Sequence, residues 1–581
     1  MCGIAGVVMA GGRPVPDGLL KRMAAALAHR GPDGDGFFTD GPIGLAHRRL
    51  SIIDVAGGAQ PIEGPDGRTR IIANGEIYNF RELQAHVRER GEQLRSNSDS
   101  ETALHAYLEH GLGFTGRLHG MYALAIHDDR EHCVVLARDP FGIKPLYLAR
   151  TPDGIAFASE PQALTQTGWL APELDACAAV ALLDRQFVAG RRTLLRGIER
   201  VAPGEILVLR DGRIAERHRH TPDLEPPARL GEAAALAEFE RLFAAALTSH
   251  LQSEVPLGVF LSGGIDSSAL CVQLDKLGIR PETFTIGFAS DTVSDERQSA
   301  EALATRLAFR QHSVVFDEAD FWRYLPIMAR ACDDLIADYA ALPLLKLSEV
   351  ARERVTVVLS GEGGDELFAG YGRYRSSWFD RLRGKGFRAH GTLDALPGIV
   401  VAEDLAERAP EPAAIGPLSP LQQRQRADIA DWLPDDLLLK VDRCLMAYGL
   451  EGRVPFLDDH LAGFAFALPD RLKVRGRHGK WLVKRWLEAV RGDVVWQRKR
   501  GFTVPIRAWL DAERARLAPF LLANPAVVQL CDRARLVDLL ARPLDKHAAA
   551  LVFRLTLLAL WYAHHIEQRG DAAADDLFAK R

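Results

Sequence analysis

The spacing of apolar residues divides the chain into two parts. Up to about residue 210, short β-branched runs are bounded by Gly, Asp or Arg, and these predict strands, with two of them paired across "DDRE". A helix is predicted over residues 18–30, where apolar residues recur at helical spacing before Gly31-Pro32. The predicted strands are "GIAGVV" (3–8), "LSIIDV" (50–55), "MYALAIHD" (121–128), "HCVVLARD" (132–139) and "GIAFASE" (154–160).

Beyond residue 236 the pattern changes to apolar strands that alternate with helices, which predicts a parallel sheet. The polar, proline-bearing residues before it have the composition of a linker. We therefore predict one domain over 2–215, a linker over 216–235, a second domain over 236–565 that ends in helices, and a polar tail over 566–581. The strands of the second domain are predicted over "LGVFLS" (257–262), "ETFTIGF" (282–288), "HSVVF" (312–316) and "VTVVLS" (355–360).

Bulk properties exclude several classes of protein. With 581 residues the chain is too long for one core. Its net charge of −5 gives no basic field for nucleic acid. The seven cysteines form no CxxC pair, which argues against a disulfide framework or structural zinc. Neither a secretory leader nor a membrane span is indicated, so we expect a cytoplasmic protein that binds no membrane.

The N-terminal "MCGIAGVV" allows two interpretations. Cys2 could be a small apolar residue that opens a buried strand. Alternatively, removal of Met1 would leave Cys2 with a thiol nucleophile and a free α-amine that serves as its base.

A glycine-rich loop follows a buried strand in "LGVFLSGGIDSSAL" (257–270). Glycines allow the backbone to approach a ligand, and hydroxyls with a helix N-terminus form an anion site. The loop differs from the GxxxxGK[ST] phosphate loop and resembles the pyrophosphate loop of ATP-pyrophosphatases. This resemblance implies cleavage of ATP to AMP and pyrophosphate, with loop contacts from Ser262, Gly263, Gly264, Asp266, Ser267 and Ser268.

A second strand ends in the acidic sequence "SGEGGDELFAGY" (360–371). Asp365 and Glu366 are oxygen donors suited to Mg²⁺, and Asp266 could share the ion. In "WQRKRGF" (496–502), Lys499, flanked by Arg498 and Arg500, is the candidate for stabilising charge on the phosphates.

With these motifs, residues 2–510 resemble glutamine-dependent asparagine synthetases of the AsnB type. Further matches are "HRGPDG" (29–34), "HRRLSIID" (47–54), "NGEIYN" (74–79), "SNSDSE" (96–101), "RDPFGIKPLY" (138–147) and "LEGRVPFLD" (450–458). The resemblance implies two domains of α/β and α+β class. The first would be a class II glutamine amidotransferase, an Ntn-hydrolase αββα sandwich. The second would be an α/β ATP-pyrophosphatase synthetase domain with a helical C-terminal part.

The resemblance implies roles for glutaminase residues. Cys2 would attack the glutamine amide after removal of Met1. The Asn74 side chain and the Gly75 N–H would form the oxyanion hole, Arg49 would bind the α-carboxylate, and Glu76 and Asp99 would hold the α-ammonium. The loop residues Leu50, Ser51, Ile52 and Ile53 would complete the glutamine site.

In the second domain the resemblance implies that ATP activates aspartate as β-aspartyl-AMP, which ammonia converts to asparagine. Asp266 and Asp365 would bind Mg²⁺, and Glu362 matches a position linked to formation of the intermediate. An internal channel would carry ammonia, and relatives are often dimers. Adenosine contacts would fall on Leu261, Ile286, Ser360 and Gly361.

Two departures from the family pattern bear on the acceptor. Asp333-Asp334-Leu335 stands where Asp-Glu-Pro is common, and Ser299 replaces a Tyr. Because both lie in the synthetase half, an alternative is amidation of another carboxylate, on a peptide or a surface-polysaccharide precursor. A lactam synthetase or an inactive scaffold is disfavoured because the nucleophile and the metal-binding residues are all present.

Overall fold

The computed structural model describes residues 2–222, 224–225, 229–288, 297–375, 391–401, 417–497 and 505–570. Lys499, Arg498 and Arg500 lie outside the described residues, as do residues 571–581 of the predicted tail.

Two six-stranded antiparallel sheets form the first part of the described structure. One has the strand order β10-β8-β9-β1-β3-β2 and the other β12-β11-β7-β6-β5-β4. The predicted neighbours β6 and β7 are paired, as Ala123 lies opposite Arg138. The strands are β1 Gly3–Met9, β2 Gly34–Asp40, β3 Ile43–Arg49, β4 Ile62–Glu63, β5 Thr69–Ile77, β6 Gly120–Asp128, β7 Cys133–Arg138, β8 Tyr147–Thr151, β9 Gly154–Ala158, β10 Ile198–Arg200, β11 Glu205–Arg210 and β12 Arg213–Arg219.

The sheets pack face to face with helices on their outer faces, so the αββα sandwich is confirmed. Ile4 and Leu45 from one sheet and Ile72 and Leu136 from the other share a buried core. This follows from alternation along the strands, which sends every second side chain inward. The helices are α1 Leu19–Ala26, α2 Phe80–Glu89, α3 Asp99–His110, α4 Pro161–Thr165 and α5 Ala176–Arg185.

The prediction of a strand over residues 50–55 is wrong, since β3 ends at Arg49. Leu50 and Ile52 are buried against Val357 of the second domain rather than within a sheet. Glu254 from that domain accepts hydrogen bonds from the N–H groups of Asp54 (2.9 Å) and Val55 (3.1 Å). Packing between the two domains therefore buries the apolar side chains of this run, and the run remains a loop.

The second part contains a five-stranded parallel sheet of order β15-β14-β13-β16-β17 among the described residues. The chain moves outward from β13 to β15 and then returns to β16 beside β13, so the order reverses between β13 and β16. Open parallel sheets bind ligands at such a point, at the carboxyl ends of the strands. The strands are β13 Leu257–Phe260, β14 Glu282–Phe288, β15 Arg310–Phe316, β16 Val357–Leu359 and β17 Glu451–Arg453.

Helices cover this sheet and make up the rest of the chain. β12 runs to Arg219 and α6 begins at Glu232, so both elements overlap the ends of the predicted 216–235 linker. The helices are α6 Glu232–His250, α7 Ile265–Lys276, α8 Arg297–Arg306, α9 Glu318–Ala331, α10 Ala341–Arg352, α11 Gly364–Leu367, α12 Pro420–Ala427, a π-helical segment Asp428–Leu438, α13 Leu439–Met446, α14 Asp459–Ala467, α15 Asp470–Lys473, α16 Trp481–Arg491, α17 Ile506–Ala523, α18 Pro525–Leu530, α19 Arg533–Leu540 and α20 Lys546–His565. Within the described parts of the chain, no helix is long and apolar enough to cross a bilayer.

A buried network of ion pairs joins the two domains. Arg30 of the first domain contacts Glu160 (2.7 Å) and, from α13, Asp442 (2.8 Å). The next residue of α13, Arg443, contacts Glu160 (3.0 Å) and Asp333 (3.0 Å). Buried charges need such partners, because an uncompensated one is strongly destabilising.

Candidate functional site

Cys2 lies at the start of β1 in a buried position. Its backbone N–H donates to Oδ1 of Asn74 (3.1 Å), and its Sγ lies 3.8 Å from the carbonyl oxygen of Leu50. Arg30 donates from Nε to the Cys2 carbonyl oxygen (3.1 Å). Burial raises the pKa of the Cys2 thiol, so a nearby base is needed to form the thiolate.

The amide of Asn74 has the form expected of an oxyanion-hole donor. Its Nδ2 is buried and has no hydrogen-bond partner among the described residues. An orphan donor of this kind costs about 1–3 kcal/mol, which a developing oxyanion would recover. At Gly75 an added Cβ would lie 2.0 Å from the Met121 carbonyl oxygen, so only glycine keeps β5 this close to β6.

The loop after β3 holds the guanidinium of Arg49. Its Nη1 donates to the Val55 carbonyl (3.1 Å) and its Nη2 to the Asp54 carbonyl (2.6 Å). An arginine has five N–H donors, so others remain for a carboxylate. The side chains of Leu50 and Ile52 are buried against the second domain, Ile53 is half-buried, and the Ser51 N–H donates to Asp33 (2.8 Å).

Two buried carboxylates lie near this loop. Asp99 begins α3, and its Oδ2 accepts from the Ile77 N–H (2.8 Å). Burial raises the pKa of Asp99 to about 6. Burial also raises the pKa of Glu76, and its Oε2 has no hydrogen-bond partner within the described structure. A buried acceptor without a donor suits a cationic ligand group such as an α-ammonium.

The glycine-rich loop of residues 261–264 connects β13 to α7 at the point where the strand order reverses. The Leu261 N–H donates to the Phe284 carbonyl (2.8 Å), and Gly263 has φ +71°, which favours glycine. The Oγ atoms of Ser262 and Ser267 are 3.1 Å apart. The N–H groups at the start of α7 then face the loop, as in helix-terminal anion sites.

Arg491 of α16 holds this loop from outside. It donates to the Gly263 carbonyl (2.8 Å), to Oγ of Ser268 (2.6 Å) and to Oγ of Ser299 (2.8 Å). Ser299, one of the two departures, therefore braces the loop through Arg491.

The segment after β16 contacts the first turn of α7 at Asp266. A Cβ added to Gly361 would lie 2.8 Å from Cβ of Asp266, and one added to Gly364 would lie 2.5 Å from its Oδ1. Ser360 and Gly361 thus lie beside the glycine-rich loop and the start of α7. Ile286 lies half-buried in the adjacent β14.

Lys480 joins the first turns of α7 and α11. Its Nζ lies 2.6 Å from Oδ1 of Asp365 and also contacts Oδ2 of Asp266. Lys480 is buried and has φ +53°, a conformation that costs a non-glycine residue roughly 1–2 kcal/mol. Strain of this size indicates a position fixed by its surroundings.

The donor set at this point fits Mg²⁺. Two carboxylates, Asp266 and Asp365, lie within reach of one ammonium group, and Mg²⁺ prefers one or two carboxylates together with phosphate oxygens. No cluster of three or more His, Cys, Asp or Glu that could hold a metal ion occurs in the described residues.

A second buried cluster lies beside Glu362. Burial raises the pKa of Glu362, although the charge of Lys440 opposes this. Lys440 donates to Oδ2 of Asp338 (2.6 Å). Burial raises the pKa of Asp436 to about 8, with Asp338 adding to the shift.

Comparisons with known proteins match both parts of the chain. The family model described as asparagine synthase matches residues 238–563, more than half of the chain. The chain belongs to the asparagine synthase family. A glutamine amidotransferase domain model matches residues 1–220. The protein is therefore an enzyme of the glutamine-hydrolysing, ATP-using type, as the motifs indicate.

Curated relatives named asparagine synthetase cover nearly the whole chain, and a relative named an amidase covers part of it. Asparagine synthetase [glutamine-hydrolyzing] 1 of Bacillus subtilis is 31% identical, over 95% of this chain and 94% of its own. A putative asparagine synthetase of Mycobacterium tuberculosis is 32% identical, over 98% of both chains. The amidase chyE of Penicillium rubens is 32% identical over 61% of this chain and 55% of its own.

The structure gives one of the two departures a place in the fold. Asp333 accepts from the Gln162 N–H of the glutaminase domain (2.8 Å), and Asp334 contacts Tyr147 (3.0 Å) and Arg200 (2.5 Å). The pair therefore lies at the interface between the two domains.

Sequence reasoning missed Lys480 and Arg491. Both lie more than 200 residues beyond the loop that they contact. The local signal at Lys480 is the preceding glycine: a Cβ on Gly479 would lie 2.2 Å from the Ala369 carbonyl oxygen.

Proposed function

We propose that this asparagine synthase amidates aspartate to asparagine, using the amide nitrogen of glutamine and cleaving ATP to AMP and pyrophosphate. Removal of Met1 would place the α-amine on Cys2 as base for its thiol. The thiolate attacks the glutamine amide carbon to form a γ-glutamyl thioester with release of ammonia, and water then releases glutamate. The donors for the oxyanion are Asn74 Nδ2 and the Gly75 N–H.

In the synthetase domain, a carboxylate oxygen of aspartate attacks the α-phosphorus of ATP, and pyrophosphate leaves. Lys480 and the N–H groups of the glycine-rich loop between β13 and α7 stabilise the charge on the phosphates. Mg²⁺ bound by Asp266 and Asp365 would neutralise the leaving group. Ammonia then displaces AMP from β-aspartyl-AMP.

The observation that carries aspartate as acceptor is the charge of the cluster beside Glu362. Three carboxyl groups, those of Glu362, Asp338 and Asp436, interact with Lys440, and Arg554 adds a second cation beside Asp338 and Asp436. Within the described residues of this cluster the carboxyl groups outnumber the cations. An acceptor that brings an ammonium group would balance these carboxylates, as the α-ammonium of aspartate does. An acceptor that has a carboxylate but no ammonium group would leave these carboxylates unbalanced.

A second candidate is amidation of a different carboxylate, on a peptide or surface-polysaccharide precursor. It is favoured by a relative with a name other than asparagine synthetase, the amidase chyE. Of the two departures, Asp333 contacts the first domain, whereas Ser299 lies in the second domain and accepts from Arg491.

The test is mass spectrometry of a reaction with amide-15N glutamine, MgATP and either aspartate or another carboxylate. We expect 15N-asparagine, AMP and pyrophosphate in equal amounts. The Cys2→Ala variant should lose the glutamine-driven reaction and keep the ammonia-driven one. Glutamate without asparagine or AMP would reject aspartate as acceptor. Unlabelled ammonium in the same assay tests the internal channel, which predicts little dilution of 15N in the product.

A further inference from the structure

One glutaminase residue reaches the acidic cluster of the synthetase domain. Gln186 follows the last residue of α5, and its Nε2 donates to Oδ2 of Asp436 (2.8 Å). Its carbonyl oxygen accepts from the Ala337 N–H (2.6 Å). The first domain therefore supplies a hydrogen bond inside the second.

The backbone of Gln186 is strained. Its φ of +72° is that of a residue after a helix C-terminus, where glycine is usual. A glycine there would avoid roughly 1–2 kcal/mol of strain but could not donate to Asp436. Strain retained at a non-glycine residue indicates that its side chain serves a purpose.

Asp436 is fully buried, and its Oδ1 has no hydrogen-bond partner among the described residues. The charged groups that face it are Lys440, Asp338 and Glu362, together with Arg554 of α20. A buried carboxylate oxygen without a donor, beside the proposed reaction centre, fits a ligand N–H.

We propose that Gln186 is a positioning residue of the acceptor pocket: its amide holds Asp436 so that Oδ1 accepts a hydrogen bond from the acceptor's ammonium group. The inference rests on the proposed function in that it takes the acceptor to bind beside Glu362. It differs from ammonia transfer, because it makes the glutaminase domain necessary for acceptor binding even when ammonia is supplied.

The experiment uses the full chain and exchange of labelled pyrophosphate into ATP, which requires the acceptor but neither glutamine nor ammonia. For Gln186→Ala we expect the KM for aspartate to rise about tenfold, as for loss of one hydrogen bond to a charged group, with kcat within about threefold. Glutamine hydrolysis should stay within about twofold.

Asp435→Asn is the matched control. Asp435 precedes Asp436 and accepts from the Gly190 N–H of the same glutaminase turn (2.7 Å). It is not among the charged groups facing Asp436, so this variant should perturb domain contact without a tenfold change in KM.

A pH profile separates positioning from a merely structural role. Acceptor binding should improve as pH rises through the pKa of Asp436, because only the carboxylate accepts from the ammonium. Loss of the Gln186 amide raises the pKa of Asp436, so in Gln186→Ala the fall of the KM for aspartate should occur at higher pH. Raising the pH should therefore restore part of the affinity of this variant for aspartate.

An unchanged KM, or an equal rise in Asp435→Asn, would overturn the inference. If pyrophosphate exchange into ATP requires another amine-bearing carboxylate and does not occur with aspartate, aspartate is rejected as acceptor. The variants are then compared with that carboxylate as the acceptor. Absence of exchange with every carboxylate tried would reject both proposals.

Discussion

Lys480 Nζ lies 2.6 Å from Oδ1 of Asp365, and the same ammonium contacts Asp266. One cation thus joins the first turns of α7 and α11, the helices that follow β13 and β16. When the phosphates of ATP and a divalent ion occupy this point, the lysine can exchange carboxylate partners for phosphate oxygens without leaving its place.

Replacing Lys480 should stop nucleotide chemistry and spare glutamine hydrolysis. We expect Lys480→Ala to lower aspartate-dependent pyrophosphate exchange by about 10²–10³-fold, the usual effect of losing one group that stabilises developing charge. Lys484→Ala, one turn along α16, is the control. Retention of more than a tenth of the exchange rate would contradict this role.

Asn74 tests the oxyanion hole. Asn74→Ala should lower kcat for glutamine hydrolysis by about 10²–10³-fold, because Nδ2 is lost as a donor. Asn74→Asp keeps Oδ1, which accepts from the Cys2 N–H, but removes the donor, so it should lose as much. Ammonia-driven synthesis should be unchanged in both. Activity of Asn74→Asp close to wild type would show that Oδ1 is the important atom.

The pH dependence of glutamine use should report Asp99. Burial raises the pKa of Asp99 to about 6, so its carboxylate is ionised above that pH and protonated below it. Because only the carboxylate attracts the α-ammonium of glutamine, KM for glutamine should rise as pH falls below about 6. Asp99→Asn should show a high KM at every pH. If the KM of Asp99→Asn still rises at low pH as in the wild type, the pH dependence belongs to another group.

The interdomain pair of Arg30 and Asp442 should contribute to stability. Asp442→Asn leaves Arg30 buried with one fewer counter-charge, and we expect it to lower the free energy of unfolding by about 3 kcal/mol, measured by urea denaturation. The exposed pair Arg13–Asp153 is the control, since Arg13→Ala should cost less than about 1 kcal/mol. Equal effects in the two variants would show that burial of the Arg30 pair adds nothing.

Local pattern was enough to predict much of this fold. The strand, loop and helix of residues 257–276 follow from an apolar run, two glycines and hydroxyls at a helix start. Cys2 and Asn74 lie in contact, as their motifs imply.

Pattern could not reveal contacts made by distant segments. The run at residues 50–55 resembles a strand because Leu50 and Ile52 are apolar, but their partner is Val357. Lys480 gives little periodic signal, since its role depends on two loops brought together by the reversal of strand order. Asp333 resembles a substrate-site departure until Arg443 and Gln162 are seen around it.

The network around Arg30 also limits how such enzymes can recombine. A chimaera that joined this glutaminase to a synthetase without an acid at the place of Asp442 would bury a guanidinium short of a counter-charge, directly behind the nucleophile's carbonyl. Exchange of the two domains between relatives is therefore expected to succeed when the incoming second domain has an acid at this place, or when α13 is transferred together with the first domain.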